Sequence, residues 1–353
     1  MIAVRNLSVE LGLFALRDIN LTVEKGEYFI LLGPTGAGKT ILLESIAGVQ
    51  PIQAGEIWLG GRHVTRVAPE RRRVSIVYQD HMLFPHYSVR ENIIFGLKMR
   101  RIKSSQIDTA LDRVVELLGI GHLLDRRPDT LSGGERQKVA LARAVVTDPE
   151  VLLLDEPLGA LDPQSRGGVQ QELIKLQDQL GITALHVTHD FEEAITMGDR
   201  IAVIGEGAIR QVGMPDEVFR HPNSEFVATF TMAGNVFAGT AVKAEDGSTV
   251  FQVEGARIVA DADMDGPCHA SIRPEDILVS SSPAELPVLK GHNHFIATIT
   301  QVVNKGSVVH ITADLPPPLT CLLTRRSHQE MNLRPGQEVV LTVPPSSVHL
   351  FRD

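Results

Sequence analysis

The stretch that decides the fold is Gly33-Pro34-Thr35-Gly36-Ala37-Gly38-Lys39-Thr40, which follows the apolar run Tyr28 to Leu32 and precedes a helical pattern over 41–47. A strand, a glycine-rich loop and a helix in this order are the context that a P-loop requires. The glycines let the backbone wrap around a phosphate, to which the loop amides and the helix N-terminus donate hydrogen bonds. Lys39 would reach the terminal phosphates, and the Thr40 hydroxyl would ligate Mg²⁺. A chance glycine-rich turn is the alternative, and the full eight-residue match disfavours it.

Two carboxylates follow a second apolar run, Val151 to Leu154. An apolar strand that ends in two acids directs Asp155 toward a metal, while Glu156 projects beyond the strand tip, where it can take a proton from an attacking water. The other interpretation is a simple strand-ending turn at Asp155-Glu156-Pro157. Beside a P-loop, we favour metal binding by Asp155 and general base catalysis by Glu156.

A third motif, Leu131 to Gln137, precedes the strongly helical stretch 138–146. Its two glycines free helix-terminal amides to approach an anion, and Ser132 adds a hydroxyl, so the motif predicts a second phosphate-facing helix N-terminus. Ser132 with Glu135 three residues later is also a capping box. The two interpretations are compatible, and one chain thus offers two phosphate sites.

Composition narrows the class of protein. A length of 353 residues favours about two domains. With 34 basic and 43 acidic residues the net charge is −9, which disfavours a general nucleic-acid-binding surface. The two cysteines are too few for a disulfide scaffold or a four-cysteine zinc site. The N-terminus lacks the pattern of a signal peptide, and the longest uncharged stretch is broken by polar residues, so we expect a cytoplasmic chain that does not cross the bilayer.

Hydrophobic patterning predicts two domains of different class. Up to about residue 230, apolar β-rich runs alternate with helical patterns, which predicts a parallel-sheet α/β domain over 1–232. A helical insert is expected at about 85–130, where Ser88 and Glu91 form a capping box pattern. Short β-branched runs separated by turn residues then predict an all-β, OB-like or barrel domain over 233–353.

Taken together, these motifs resemble the ATP-binding subunit of an ABC transporter. The matching residues are the P-loop, Gln79, the signature Leu131 to Gln137, Val151 to Glu156, Asp162 and His189, in that family's order and spacing. The resemblance implies a homodimer in which two ATP molecules lie between the P-loop of one subunit and the signature of the other. It assigns nucleotide contacts to Gly33, Pro34, Thr35, Gly36, Ala37, Gly38, Lys39, Thr40, Ser132, Gly133, Gly134 and Gln137.

The same resemblance implies roles for the remaining motif residues. Gln79 would contact Mg²⁺ and the attacking water, His189 would contact the γ-phosphate and orient Glu156, and Asp162 would bridge the two subunits. Catalysis would therefore rest on Glu156, His189, Gln79 and Lys39, and metal binding on Thr40, Gln79 and Asp155. At the place where the family stacks adenine on an aromatic ring, this chain has Leu11-Gly12-Leu13, with Phe14 as the nearby ring.

The family's importers also imply further partners. These are two membrane permease subunits and an extracytoplasmic solute-binding protein, with the ATPase held peripherally at the cytoplasmic face of the inner membrane. Permease helices would dock near Gln79 and the helical insert, in a groove lined by the aromatic-rich segment 82–87. That segment is equally compatible with ordinary core.

The C-terminal domain bears on the solute. Ser271 to Ile277 resembles a segment shared by regulatory domains of several importers, whereas Leu323 to Ser327, Met331 to Gly336 and Ser346 to Leu350 resemble the molybdate- and tungstate-binding MOP fold. An oxyanion would be held there by Thr324, Arg325, Ser346 and Ser347. Related modules have arginine, serine and lysine where this chain has Gly291-His292-Asn293-His294 and Pro344-Pro345, so we expect feedback sensing to be weakened.

Molybdate or tungstate import is therefore the leading hypothesis for function. A sulfate, iron or other importer is the alternative within the family. A soluble ABC protein of translation or DNA repair is disfavoured, because those proteins carry tandem cassettes or long coiled coils. A pure oxyanion sensor with a vestigial ATPase is disfavoured because the catalytic residues are all present in the sequence.

Overall fold

Two units make up the chain, Met1–Pro215 and Asp216–Asp353. They are seen in a computed structural model that describes residues 1–245, 247–281 and 291–352, and only the backbone of 163 and 164. The division falls earlier than the boundary after residue 232 that the sequence predicted. Ala228 and Ala233 are buried in one cluster with Phe351, so this stretch packs with the β-rich unit.

A six-stranded sheet forms the centre of the first unit. Its strands run in the order β10-β9-β3-β8-β7-β6, and all neighbours are parallel except the antiparallel pair β9 and β10. A second, antiparallel sheet has the order β2-β1-β4-β5. In chain order the strands are β1 (Ile2–Leu11), β2 (Phe14–Val23), β3 (Tyr28–Leu32), β4 (Ala54–Leu59), β5 (Arg62–His63), β6 (Val74–Val77), β7 (Val151–Asp155), β8 (Thr183–Thr188), β9 (Arg200–Gly205) and β10 (Ala208–Gly213).

Helices connect the parallel strands, as the alternation of patterns predicted. They are α1 (Lys39–Ala47), α2 (Val89–Met99), α3 (Ser104–Leu118), α4 (Gly133–Val145), α5 (Pro163–Leu180) and α6 (Phe191–Met197). The core of the unit joins both sheets to α1, since Leu42, Leu43 and Ile46 are fully buried in one cluster with side chains of β1, β3 and β8. The α/β class predicted for this part of the chain is confirmed.

Two helices, α2 and α3, lie within the range predicted for the helical insert. Ser88 caps α2, with its hydroxyl accepting from the Glu91 amide at 3.2 Å and the Glu91 carboxylate accepting from the Ser88 amide at 2.8 Å. This is the capping box read from the sequence. Helix α3 is amphipathic and buries Ile107, Leu111, Val114 and Leu118, which are spaced three or four residues apart.

The second unit is built from two five-stranded antiparallel sheets, in the orders β13-β12-β11-β14-β20 and β15-β19-β16-β17-β18. One apolar core joins them, and the predicted all-β class is confirmed for the described residues of 235–352. The strands are β11 (Asn235–Lys243), β12 (Thr249–Val253), β13 (Ala256–Ala260), β14 (Gly266–Ile272), β15 (Leu278–Ser280), β16 (Asn293–Asn304), β17 (Val308–Asp314), β18 (Leu319–Thr324), β19 (Glu338–Val343) and β20 (Val348–Phe351).

Three short helices complete the described chain. They are α7 (Pro215–Arg220), α8 (Glu225–Phe230) and α9 (Arg325–Met331). In the described ranges, no helix combines the length and apolar character needed to span a bilayer.

Candidate functional site

The P-loop leaves the buried strand β3 and leads into α1. Gly36 and Gly38 adopt left-handed backbone conformations with φ of 83° and 97°, which glycine reaches without steric cost. A Cβ atom at Gly38 would also lie only 2.6 Å from side-chain atoms of Phe14 and Leu16. Glycine is therefore required at residue 38 by both the backbone conformation and the close approach of β2.

Lys39 is folded back onto the loop. Its Nζ donates to the Gly33 carbonyl at 2.7 Å and to the Pro34 carbonyl at 3.0 Å. Burial lowers the pKa of Lys39, while the nearby Glu156 and Asp155 carboxylates act in the opposite direction. The ammonium group thus lies in an anionic, partly desolvated pocket, where a bound phosphate would replace the two carbonyl contacts.

Thr40 and Asp155, both expected to be metal ligands, lie in contact with each other. The Thr40 hydroxyl lies 3.0 and 3.2 Å from the two carboxylate oxygens of Asp155, which is 7% exposed. Burial raises the pKa of Asp155, and the Glu156 and Glu44 carboxylates add to that shift, whereas Thr40 and Lys39 oppose it. A hydroxyl and a carboxylate are the hard oxygen donors that Mg²⁺ prefers, and the accumulated negative charge favours a cation there, so these residues fit the predicted metal.

Glu156 and His189 come from neighbouring strands. Glu156 follows β7 and His189 follows β8, and the two strands pair in parallel with Asp155 opposite Val187. The Nδ1 atom of His189 lies 3.0 Å from Oε1 of Glu156. The histidine side chain is 57% exposed and the glutamate 21%, so both face the solvent side of the site.

A cavity of about 550 Å³ is lined by Lys39, Asp155 and Glu156, whereas His189 is not part of its lining. Gln79, which follows β6, and Phe14, at the start of β2, both line it. Leu13 is fully exposed, whereas the Phe14 ring lies beside Gly38 and so faces the P-loop. The full lining is Phe14, Thr35, Gly36, Gly38, Lys39, Thr40, Ile41, Gln79, Asp155 and Glu156.

The signature motif stands apart from this cavity. Ser132 caps α4, with its hydroxyl accepting from the Glu135 amide at 3.3 Å, and the next two glycines open the helix. Neither Ser132 nor the glycines are among the described residues that line the P-loop cavity. Gln137 is fully buried in α4, so it does not reach a surface nucleotide in this conformation. The two phosphate sites predicted for one chain are thus separate.

Asp162 lies at the N-terminus of α5. Its carboxylate accepts a hydrogen bond from the Ser165 amide at 3.1 Å. It is exposed, and its proposed role between subunits remains a prediction.

The aromatic-rich segment before α2 is partly exposed. Phe84 contacts both Tyr87 and Phe95, with ring centroids 5.7 and 4.6 Å apart, and Arg143 lies over the Phe84 ring at 5.4 Å. Met82, Phe84 and Tyr87 are each more than a third exposed. The segment is therefore neither ordinary core nor fully solvated.

The predicted oxyanion ligands of the C-terminal domain are not brought together within one chain. Ser346 lines a cavity of about 460 Å³ with Asp261 and His292, and neither Thr324 nor Arg325 is among its described lining residues. Thr324 instead caps α9, with its hydroxyl accepting from the Ser327 amide at 3.1 Å. The cavity has no described lysine or arginine in its lining, which does not favour an oxyanion.

Sequence reasoning missed two residues beside the site, Thr188 and Glu193. Both are buried, and they form a hydrogen bond at the turn that carries His189. No sequence motif distinguishes them, because Glu193 is one of two ordinary acids in the first turn of α6.

Comparisons with known proteins cover both units. A sequence model of the ABC transporter family matches residues 16–159, and a model of the TOBE domain matches 290–350. The chain is 41% identical over 352 residues to the molybdate/tungstate import ATP-binding protein of Pyrococcus abyssi, covering 99% of this chain and all of that protein. It is 38% identical over 362 residues to the sulfoquinovosyl glycerol transport ATP-binding protein of Agrobacterium fabrum, with 99% and 97% covered.

Solved structures resemble the first unit. A dimeric ATP-binding cassette in a post-hydrolysis state, bound to ADP and Pi, matches 61% of this chain and 99% of its own, with a TM-score of 0.55 and 26% identity.

Proposed function

This chain belongs to the ABC transporter family as the ATP-hydrolysing subunit of an importer, and we propose that it powers the uptake of molybdate or tungstate. The observation that supports this solute is similarity over both units to an archaeal protein named for it. Similarity to the sulfoquinovosyl glycerol protein is only slightly lower, which favours import of another solute as the second candidate.

An uptake assay separates these candidates. Cells that express the chain with its permease and binding protein would be given labelled molybdate, tungstate or sulfate, and the matched control would carry Glu156→Gln. We expect uptake of molybdate and tungstate that the control lacks. Uptake of sulfate alone, or of none of the three anions, would overturn the proposed solute.

We propose that ATP binds with its terminal phosphates in the P-loop. Lys39 would exchange its contacts with the Gly33 and Pro34 carbonyls for phosphate oxygens, a gain because these anionic acceptors form stronger hydrogen bonds with an ammonium group. Phe14 lines the same cavity and is the ring available to adenine. Lys39→Ala should therefore weaken ATP binding itself, and unchanged affinity in a titration with the nucleotide would contradict this role.

Mg²⁺ is the metal that the donor set fits. Thr40, Asp155 and Gln79 would hold it, and when bound it supplies positive charge to the phosphate oxygens. Burial raises the pKa of Asp155, and a bound cation would act in the opposite direction.

Glu156 is the proposed general base. The His189 ring lies 3.0 Å from its Oε1 atom and orients the carboxylate, which lines the cavity and is 21% exposed, so a water molecule can reach it. A carboxylate so held takes a proton from the water as the water oxygen bonds to the γ-phosphorus and the bond from that phosphorus to the departing ADP oxygen breaks. His189 then donates to the charge that develops on the phosphate.

A homodimer would complete the site. The Ser132–Gly134 turn presents amides at a helix N-terminus, and it does not line the cavity of its own chain. Supplied by the second subunit, these amides would meet the γ-phosphate from the side opposite Lys39. The proposal extends to two permease subunits, a solute-binding protein and peripheral attachment at the cytoplasmic face of the membrane.

A further inference from the structure

A chain of buried polar side chains lies behind the turn that carries His189. Tyr28, His186, Thr188 and Glu193 are each at most 3% exposed. Buried polar groups lower stability unless they are hydrogen-bonded. The hydrogen bonds among these four side chains therefore show which parts of the backbone the cluster holds in place.

The Thr188 hydroxyl makes two hydrogen bonds that enclose His189. It donates to Oε2 of Glu193 at 2.6 Å and accepts from the backbone amide of Asp190 at 3.0 Å. A hydroxyl has a single proton, so its donation to Glu193 leaves the oxygen lone pairs for the Asp190 amide. The carboxylate thus fixes the orientation of the hydroxyl that holds the backbone on the far side of His189.

Asp190 secures the same turn from the other direction. Its Oδ1 atom accepts from the amides of Glu192 and Glu193 at 2.8 and 3.2 Å, and its Oδ2 atom lies 3.1 Å from Nη1 of Arg166. The His189 side chain itself is mostly exposed. Its direction toward Glu156 therefore depends on the backbone of this turn more than on packing around the ring.

The cluster also reaches the strand that precedes the P-loop. Oε2 of Glu193 lies 3.4 Å from Nε2 of His186, and the Tyr28 hydroxyl lies 3.0 Å from Nδ1 of the same ring. Burial acts to raise the pKa of Glu193, but its contacts with His186 and Thr188 outweigh burial and lower it. Glu193 is thus an ionised acceptor beneath the turn.

We propose that Glu193, acting through the Thr188 hydroxyl, is a positioning residue that holds His189 in the geometry needed for ATP hydrolysis. This inference rests on the proposed function of His189 and Glu156. Neither Thr188 nor Glu193 lines the P-loop cavity, so their effect on the reaction would be indirect.

Thr188→Val tests the proposal in the full-length chain, because it keeps the shape of the side chain and removes the hydroxyl. We expect kcat to fall roughly 10- to 100-fold, the range for a misplaced catalytic group, with the KM for ATP unchanged. Thr188→Ser, the matched control, restores the hydroxyl and should retain most of kcat. Glu193→Gln keeps an acceptor oxygen, so its kcat should be higher than that of Glu193→Ala. Thermal unfolding of each variant checks that the protein is folded.

A double-mutant cycle gives the decisive result. If Thr188 acts through His189, Thr188→Val should change kcat less than about twofold in a His189→Ala background. An equal loss in both backgrounds, or an equal loss in Thr188→Ser, would indicate a general structural role and overturn the inference. If His189→Ala is impaired but Thr188→Val hydrolyses ATP at the wild-type rate, the inference alone is overturned. If His189→Ala itself hydrolyses ATP at the wild-type rate, both the proposed function of His189 and the inference are overturned.

Discussion

Glu156 combines an unusual backbone with the proposed role of general base. Its φ of 45° lies in the left-handed region, which a residue with a side chain seldom adopts. The Glu156 amide donates to the Val187 carbonyl at 2.9 Å, and the Gly159 amide donates to the Glu156 carbonyl at 3.1 Å. These bonds hold the turn so that the side chain leaves the strand tip toward His189.

Glu156→Gln is expected to reduce ATP turnover at least ~100-fold, because the amide cannot accept the proton of the attacking water. Nucleotide affinity should stay intact, since Lys39 and the P-loop are unchanged. Phosphate release and ATP titration measure the two effects separately. Turnover at the wild-type rate would exclude Glu156 as the base.

Cys321 gives a residue-scale prediction for the second unit. It is fully buried in the core of the unit, and burial raises its pKa to about 12. The thiolate is the reactive form, so at pH 8 the folded protein should react with a thiol reagent far more slowly than the unfolded protein does. A Cys268→Ser variant isolates the signal of Cys321. Fast reaction of this variant under native conditions would contradict the buried position.

At the scale of single elements, much of the site was readable from the sequence. The P-loop, the capping boxes of α2 and α4 and the strand that ends at Asp155 depend on residues close together in the chain, and their patterns carried the information. The pairing of Glu156 with His189 came from family resemblance, because it depends on the parallel pairing of β7 with β8. The roles of Thr188 and Glu193 could not be predicted, because a hydrogen bond between a strand end and a helix leaves no periodic pattern in the sequence.

Gly38, which precedes α1, packs closely against β2, and a comparison with Gly36 tests how much this close packing matters. Gly36 and Gly38 both have positive φ, but only Gly38 has atoms within 4 Å of an added Cβ. Gly36→Ala should lower the free energy of unfolding by about 1–2 kcal/mol through backbone strain. Gly38→Ala should lower it further, because Phe14 and Leu16 must also move. Thermal unfolding without nucleotide compares the two, and equal losses would contradict the crowding at Gly38.

The whole molecule holds two phosphate-binding motifs in one unit without bringing them together. Membership in the ABC transporter family confirms the resemblance read from the motifs. The structure divides the chain after residue 215 rather than 232, and Ala228 of α8 packs against Phe351, more than a hundred residues away. Sequence patterns of short range do not report such contacts.

ATP-dependent dimer formation is the prediction at this scale. Glu156→Gln protein with Mg²⁺ and ATP should sediment as a dimer, because bound nucleotide is not cleaved. In the Glu156→Gln background, Gly134→Asp should prevent dimer formation, because its carboxylate would repel the γ-phosphate bound in the P-loop of the other subunit. Gly134→Ala is the control. Gly134 has no atoms within 4 Å of an added Cβ, so both variants should fold. A monomer with ATP, even in the presence of the permease, would contradict the paired site.

The order of the central sheet has a kinetic consequence. Gly33 leaves β3 and His189 leaves β8, which pair although more than a hundred residues of chain separate them, and Glu156 leaves β7 on the other side of β8. ATP therefore has no complete pocket to occupy until these distant segments have joined. The nucleotide should slow unfolding while leaving the refolding rate nearly unchanged, since a ligand that recognises only the finished protein stabilises it without assisting its assembly.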